Sequence, residues 1–331
     1  PISQWMLDST CDCIRQLRTR NITVPVFGIR ISPVYFQRSH FVQDLIRCLG
    51  RHGVEAGDLE LEIRETTLLQ GREQTIDKLN ELKRLGFRLA IDNFGTGFSS
   101  LGHLKTLPVD KVKLDRSLIR EVISDRHDAA MMQAIISIAH HLQLRVAADG
   151  VDTEPQFSFL VKNMCDEFQG SYFSPAMNFE LVESLLASTS HLRNPEPLSA
   201  GEHRPTVLLL DDEENILRAL TRVLRRDGYQ ILTAQRARDA FDLLARNEVQ
   251  VIISDQRMPD MSGTDFLSQV KDIYPETIRI VLSGFTDLKS VTDAINQGAI
   301  YRFLTKPWDD DELRQHVAEA FRRHAAGQRG S

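Results

Sequence analysis

Residues 88–117 read RLAIDNFGTGFSSLGHLKTLPVDKVKLDRS. An apolar run ends at Asp92, passes Asn93 and a Gly-Thr-Gly turn, and enters a short helical stretch. The chain then returns through Lys111-Val-Lys-Leu-Asp115, where Val112 and Leu114 alternate with Lys113. The segment therefore predicts a strand, a glycine-opened loop, a short helix and a second strand. Its polar groups fall at the carboxyl ends of the strands, where an α/β barrel keeps its chemistry.

The flanks repeat the pattern. Val24–Ile31 predicts a strand, with a helix around Phe41–Arg51 after it. Leu59–Glu65 alternates Leu59, Leu61 and Ile63 against Glu60, Glu62 and Arg64, a period of two. Ile76, Leu79, Leu82 and Leu85 then form one helical stripe, and Gly86 stands where a C-terminal cap belongs. Phe87–Asp92, Asp110–Asp115, Leu144–Asp149 and Cys165–Gly170 each end in polar tips, and 128–142 is a largely apolar, core-facing helix. Repeated strand–helix units argue for a (β/α) barrel. Its tips would be Arg30, Glu62, Asp92 with Asn93, Lys113, Asp149 and Gln169. One such residue alone is an ordinary loop charge, but a set on successive strand ends converges on one mouth. Splitting a phosphodiester needs hard cations held by carboxylates and a positive group facing the phosphate. Glu62 and Asp92 suit the metal role, Lys113 the phosphate, and Asp149 a base or second-metal ligand.

The 88–117 stretch resembles the DDFGTGxSSLxxLxxLPxDxxKxDxS signature of the EAL family, phosphodiesterase-type domains for the bacterial second messenger cyclic di-GMP. The resemblance implies a TIM-like (β/α)8 barrel over residues 1–187, with Mg²⁺ or Mn²⁺ at its mouth if it is active. PISQWMLDSTCDCIRQL resembles the helix after the first barrel strand, so that strand is expected upstream of residue 1. Glu62, Glu65, Asp92, Lys113 and Gln169 match the family pattern; four other positions depart from it. Arg30 stands where the family has a metal-binding Asn, and a guanidinium has no lone pair for a metal. Asn93 replaces a carboxylate, and Asp149 and Asp152 shorten two glutamates by a methylene each. The expectation is a degenerate mouth in which Arg30, Lys113, Gln169, Glu65 and Asp152 bind ligand while hydrolysis is weak or lost.

Residues 188–205, rich in Pro, Ser and charge, read as a linker. Beyond it, Thr206-Val-Leu-Leu-Leu-Asp-Asp-Glu-Glu, Val251–Asp255, Ile278–Ser283 and Tyr301–Pro307 are apolar strands with polar ends. Helical patterns over Glu213–Arg226, Ala237–Arg246, Gly263–Asp272, Asp287–Gln297 and Asp309–Arg323 separate or follow them. Five strands with five helices predict a flavodoxin-like, doubly wound parallel sheet over 206–325, with a tail at 326–331. Such sheets bind ligands at the carboxyl ends of their strands, where Asp211, Asp212, Asp255, Ser283 and Lys306 fall. A carboxylate can attack phosphorus to give an acyl phosphate, and crowded carboxylates bind Mg²⁺. The ordered set resembles the response-regulator receiver domain. That resemblance implies Asp255 as phosphoacceptor and Mg²⁺ on Asp212, Asp255 and the Arg257 backbone carbonyl, with Asp211 acting through water. It also implies Ser283 and Phe303 as the switch pair and a sensor histidine kinase as partner.

Composition bounds the rest. The 331 residues are 42% hydrophobic, enough for two cores, and the formal charge of −6 gives no basic stripe for nucleic acid. There is no apolar run long enough for a bilayer and no secretory signal, so a cytoplasmic protein without membrane partners is expected. Cys11, Cys13, Cys48 and Cys165 have no local zinc spacing and read as buried or idle thiols. The sequence leaves a homodimer open. It also leaves three functions for the first domain: a cyclic di-GMP or partner-binding module under receiver control, a regulated phosphodiesterase, and a phosphate sink or scaffold with no nucleotide ligand.

Overall fold

The structure, a computed structural model, describes residues 2–68, 72–95, 101–188, 204–284 and 298–327. The expected linker core at 189–203, the helix at 287–297 and the last residues of the tail lie outside them. The chain divides into two compact units, each built on its own parallel sheet.

In the first unit α1 (Ile2–Thr19), β1 (Phe27–Ile31), α2 (Pro33–Phe36), α3 (Phe41–His52) and β2 (Leu59–Arg64) lead into α4 (Glu65–Leu68) and α5 (Arg72–Arg84). Then come β3 (Arg88–Phe94), β4 (Lys111–Leu114), α6 (Arg116–Arg120), α7 (Arg126–His141), β5 (Arg145–Asp149), α8 (Glu154–Lys162), β6 (Glu167–Gln169) and α9 (Phe179–Ala187). The six strands pair in parallel in strict chain order, as a barrel wall requires. Among the described residues the wall is a curled half-barrel, and β1 and β6 are its edges. Apolar side chains of β2 and β3, such as Leu61, Ile63, Leu89 and Ile91, are buried under the helices.

The alternation in β2 has an unusual meaning. Its two glutamates do not face water: Glu60 and Glu62 are 6% and 8% exposed, and only Arg64 at the strand's end is exposed. Lys111 answers them from β4, with Nζ 2.7 Å from Glu60 and 2.5 Å from Glu167. Two residues further along the strand, Lys113 meets Glu62 in the same way. One period-two face packs helices and the other fills the barrel interior with paired charges. Gly28 on β1 makes this fit possible, since a Cβ there would lie 2.6 Å from Glu62 Oε1.

The second unit holds β7 (Thr206–Leu210), α10 (Glu214–Leu224), β8 (Gln230–Ala234), α11 (Ala237–Arg246), β9 (Val251–Asp255), α12 (Gly263–Ile273), β10 (Ile278–Ser283), β11 (Arg302–Thr305) and α13 (Asp310–Gly327). The sheet order is β11-β10-β9-β7-β8, the doubly wound arrangement expected. Its core joins Val207, Leu209, Val251, Ile253, Ile280 and Leu282 to Leu217, Leu220, Val317 and Ala320 on the helices. The strand β8 has no counterpart among the sequence-predicted strands. It is a sheet edge of mixed exposure, so its pattern lacks the apolar run of the inner strands.

Candidate functional site

Each unit gathers carboxylates around one cation at the carboxyl ends of its strands. In the first unit the cation is Arg30, near the end of β1. Its Nη2 donates to Asp149 Oδ2 at 2.6 Å, at the end of β5. Its Nε lies 3.3 Å from Asp92 Oδ2 and 3.5 Å from Glu62 Oε2. A guanidinium thus spans three carboxylates from three strands. Burial alone would lower its pKa, but Asp92, Asp149 and Glu62 outweigh that and raise it. Burial lifts Asp92 above the usual carboxylate range; Arg30 opposes the lift and Glu62 adds to it.

The local backbone explains how Asp92 reaches this point. The pairing of β3 with β4 shifts register between Ile91 and Phe94, and Asn93 adopts a left-handed φ of 57°. Asn tolerates that region better than most residues. Lys113 donates to Glu62 Oε1 at 2.5 Å and to Gln169 Oε1 at 3.2 Å. Five sequence-predicted tips, Arg30, Glu62, Asp92, Lys113 and Asp149, therefore meet, with Gln169 joined through Lys113. Two predicted ligand-binding residues make other contacts. Glu65 is buried and accepts from the Gly95 backbone N–H at 3.3 Å. Asp152 is held by the Ser171 hydroxyl at 2.6 Å and by Arg116. Beside Arg30 and Asp92 opens a cavity of about 490 Å³, whose lining includes Tyr35, Arg38 and Arg64.

In the second unit the cation is Lys306. Its Nζ lies 2.7 Å from Asp211 Oδ2 and 2.5 Å from Asp255 Oδ1. Burial would lower the Lys306 pKa, and its bonds to the two aspartates outweigh that and raise it. Asp211 is fully buried, and that burial lifts its pKa against the pull of Lys306. Asp255 Oδ2 accepts from the Arg257 backbone N–H at 2.9 Å. The following helix comes very close: a Cβ on Gly263 would lie 2.1 Å from the Asp255 carbonyl oxygen. Ser283 is buried beside this end, and its main-chain oxygen accepts from the Lys306 N–H at 2.9 Å. Phe303 is 36% exposed, and Asp212 is exposed.

The EAL domain family matches residues 1–176, more than half of the chain. This chain belongs to the EAL family. The response regulator receiver domain matches residues 207–318, so an EAL domain is fused to a receiver domain. The EAL domain is similar to two curated Pseudomonas aeruginosa proteins. It is 36% identical over 185 residues to the cyclic di-GMP phosphodiesterase NbdA, covering 56% of this chain and 24% of that protein. It is 34% identical over 189 residues to the bifunctional diguanylate cyclase/cyclic di-GMP phosphodiesterase MucR, covering 57% and 27%. The chain thus spans about a quarter of the length of these relatives. Among solved structures, the PaMucR phosphodiesterase in complex with c-di-GMP aligns with a TM-score of 0.53 at 33% identity, over 55% of this chain and 73% of that one. The EAL domain of Mycobacterium smegmatis DcpA aligns at 0.54 and 33%, over 56% and 84%.

The two acidic ends differ in their fit to a divalent cation. In the receiver, Asp211, Asp212, Asp255 and a nearby main-chain carbonyl are hard oxygen donors, the set that Mg²⁺ takes. Lys306 stands on one side of Asp255 and leaves its other oxygen turned to the Arg257 N–H. That set fits Mg²⁺. In the EAL domain, Glu62 and Asp92 are the matching metal carboxylates, yet the Arg30 guanidinium lies within 3.5 Å of both. It is a permanent cation with donors only. That set does not fit a divalent ion while Arg30 keeps its position.

Sequence reasoning passed over two further groups. The Glu60–Lys111–Glu167 layer looked like ordinary strand polarity, although its period-two match to Glu62–Lys113–Gln169 was available as a signal. Asp8, Cys11, Cys48 and His52 come together between α1 and α3. Their separation along the chain hides that meeting.

Proposed function

We propose that this chain is a response regulator of cyclic di-GMP signalling whose receiver is chemically complete and whose EAL domain binds its ligand without efficient hydrolysis. The observation that carries the reading is Arg30, bridging Glu62, Asp92 and Asp149 in the place a catalytic metal would need.

In the receiver, an Asp255 carboxylate oxygen attacks the phosphorus of a kinase phosphohistidine. The new O–P bond forms as the N–P bond to the imidazole breaks. Asp212, Asp255 and the Arg257 carbonyl, with Asp211 through water, would hold Mg²⁺, which would supply charge neutralisation for the phosphoryl group. Lys306 is already in contact with the acceptor and meets the added charge; the Ser283 hydroxyl supplies a hydrogen bond to the new phosphate. Phe303, on the neighbouring strand, reports that movement at the surface.

In the EAL domain, binding rests on the cavity beside Arg30. Arg38 and Arg64 add two guanidiniums suited to phosphate oxygens. The Tyr35 hydroxyl is buried without a partner among the described residues, and the residue lines the same cavity. The hydrolase reading draws on the meeting of Glu62, Asp92 and Lys113, and it requires the half-exposed Arg30 to swing away.

The deciding experiment measures linear dinucleotide from cyclic di-GMP with Mn²⁺ or Mg²⁺, alongside calorimetric titration of the same ligand. Binding without product is expected. Metal-dependent turnover by the unmodified chain would overturn the non-hydrolytic reading, and absence of any heat or thermal shift would leave a scaffold. For the receiver, acetyl phosphate should label the wild type and fail to label Asp255→Asn; labelling that survives the substitution removes Asp255 from its role.

A further inference from the structure

The facing sides of α1 and α3 carry a group of side chains that neither the EAL mouth nor the receiver uses. Asp8 and Cys11 are three residues apart on α1, and Cys48 and His52 four apart on α3, spacings that put each pair on one helix face. The ligand atoms of Asp8, Cys48 and His52 all lie within 4.8 Å of one another. Cys48 Sγ donates to Asp8 Oδ1 at 3.1 Å, and His52 Nε2 is 3.6 Å from that same oxygen. Cys11 Sγ is 3.8 Å from Cys48 Sγ.

A tetrahedral zinc ion, with Zn–S near 2.3 Å and Zn–N or Zn–O near 2.0–2.2 Å, spaces its ligand atoms roughly 3.3–3.8 Å apart. The Asp8–Cys48, Asp8–His52 and Cys11–Cys48 separations of 3.1, 3.6 and 3.8 Å lie at or close to that range, while the group mutually within 4.8 Å is Asp8, Cys48 and His52, with Cys11 standing behind Cys48. Both thiols are buried, and His52 is four-fifths buried, so the ligands are held in packed surroundings. We infer that Asp8, Cys48 and His52 form a structural Zn²⁺ site that staples α1 to α3, which the Cys11 side chain completes by turning toward the ion.

Two thiolates, an imidazole and one carboxylate favour zinc over the harder Mg²⁺. Binding replaces the thiol protons, including the one Cys48 now shares with Asp8, and releases them to solvent. Arg51 is the competing cation, with Nη2 2.9 Å from Asp8 Oδ1, but its side chain is 54% exposed and free to turn outward. The role is structural because all four positions of the tetrahedron belong to the protein.

The test uses the full chain, reduced, stripped with a chelator and titrated with Zn²⁺ or Co²⁺ in excess Mg²⁺. Excess Mg²⁺ covers the receiver carboxylates, and the thiolate-to-cobalt charge-transfer band reports only a site containing cysteine. One Zn²⁺ per chain, a cobalt–thiolate band and a rise in the thermal midpoint are expected. Cys48→Ser and His52→Ala should each weaken zinc at least about 100-fold, since even changes to groups behind metal ligands cost 10–100-fold. Cys13→Ser, on α1 but off this face, should leave affinity unchanged, while Arg51→Ala should strengthen it severalfold. Circular dichroism and a cooperative melt of the EAL domain in each variant check that it still folds. Absence of the cobalt band in the wild type, or zinc affinity indifferent to Cys48, would overturn the site. So would a Cys11–Cys48 disulfide whose reduced form takes up no metal.

Discussion

The EAL mouth and the receiver's acidic end solve the same electrostatic problem with different cations. Each brings aspartates or glutamates from separate strands into a few ångströms, and each places a basic side chain among them. In the receiver the cation is a lysine, a compact charge on a flexible stem. It touches one oxygen each of Asp211 and Asp255, whose other oxygens accept from the backbone N–H groups of Glu213 and Arg257. In the EAL domain it is an arginine, whose planar fork reaches Asp149 with one nitrogen and Asp92 and Glu62 with another. The lysine makes one contact to each of two carboxylates; the arginine spans three. Presence of the right acids is therefore no measure of chemical competence. On the function proposed above, the shape of the cation between them decides it.

The sharpest way to break this comparison is to remove Arg30. Arg30→Asn leaves Glu62, Asp92 and Asp149 facing one another with Lys113 as the remaining cation in contact. Mn²⁺ affinity at the EAL mouth should rise from undetectable to measurable by calorimetry. Without metal the variant should lose about 1–3 kcal/mol in a urea melt, less than the loss for a fully buried pair because Arg30 is half exposed. Mn²⁺ should restore the loss. A variant that binds no metal would mean that Asn93 or the shortened Asp149 disables the site independently of Arg30.

Gly263→Ala sharpens the receiver side. The added methyl would meet the Asp255 carbonyl at 2.1 Å, forcing α12 away from β9. A loss of about 2 kcal/mol in receiver stability is expected, within the range for overpacked contacts. Acetyl-phosphate labelling should slow as well, because the shift falls on the acceptor residue itself. Unchanged labelling would show that Asp255 is insulated from its own backbone.

Lys306→Met makes the matched experiment to Arg30→Asn. Two buried carboxylates lose their shared cation, so stability should fall by about 1–2 kcal/mol without Mg²⁺, and added Mg²⁺ should recover most of it. In the unmodified chain, Mg²⁺ should raise the melting point of the receiver and leave that of the EAL domain in place. Equal responses from the two domains would erase the distinction between them.

The smallest effect sets a baseline away from both clusters. Asp227 is held below the usual carboxylate range by hydrogen bonds from Arg314 at 2.6 and 3.0 Å. A depressed carboxylate contributes stability that is present above its unfolded value, near 3.9, and lost as pH falls through the folded one. Acid unfolding of the receiver should therefore steepen below about pH 4. Arg314→Ala should flatten that limb by lowering neutral-pH stability slightly, as for other exposed ion pairs, while stability below the folded pKa stays unchanged.

Much of this molecule was legible in its sequence, for identifiable reasons. The period-two runs at 59–65 and the apolar runs at 206–210 and 251–255 report burial directly, and their polar ends mark the functional face. Helix 237–246 matches its predicted bounds without change, because its apolar stripe is strongly one-sided. Strand β8 escaped notice because an edge strand has no continuous apolar signature. Glu65 and Asp152 carried the right chemistry for ligand binding, but their own hydrogen-bond partners engage them elsewhere. The cysteines seemed idle since zinc motifs are recognised by local spacing, whereas Cys11 and Cys48 lie 37 positions apart.

By itself the sequence determined that there are two α/β units, where their strands end, and which charged residues stand on those ends. Periodicity and turn chemistry are local, so they can be read from neighbours in the chain. It also put Arg30 and Asn93 at positions where the resemblance to the EAL family leads one to expect metal ligands. Only the tertiary structure decided that one guanidinium reaches Glu62, Asp92 and Asp149 together, that Lys306 divides itself between Asp211 and Asp255, and that two helices join Asp8, Cys11, Cys48 and His52. Those meetings depend on strand register and helix packing over dozens of residues. An electrostatic contact is set by distance in space, and separation along the chain carries little information about it.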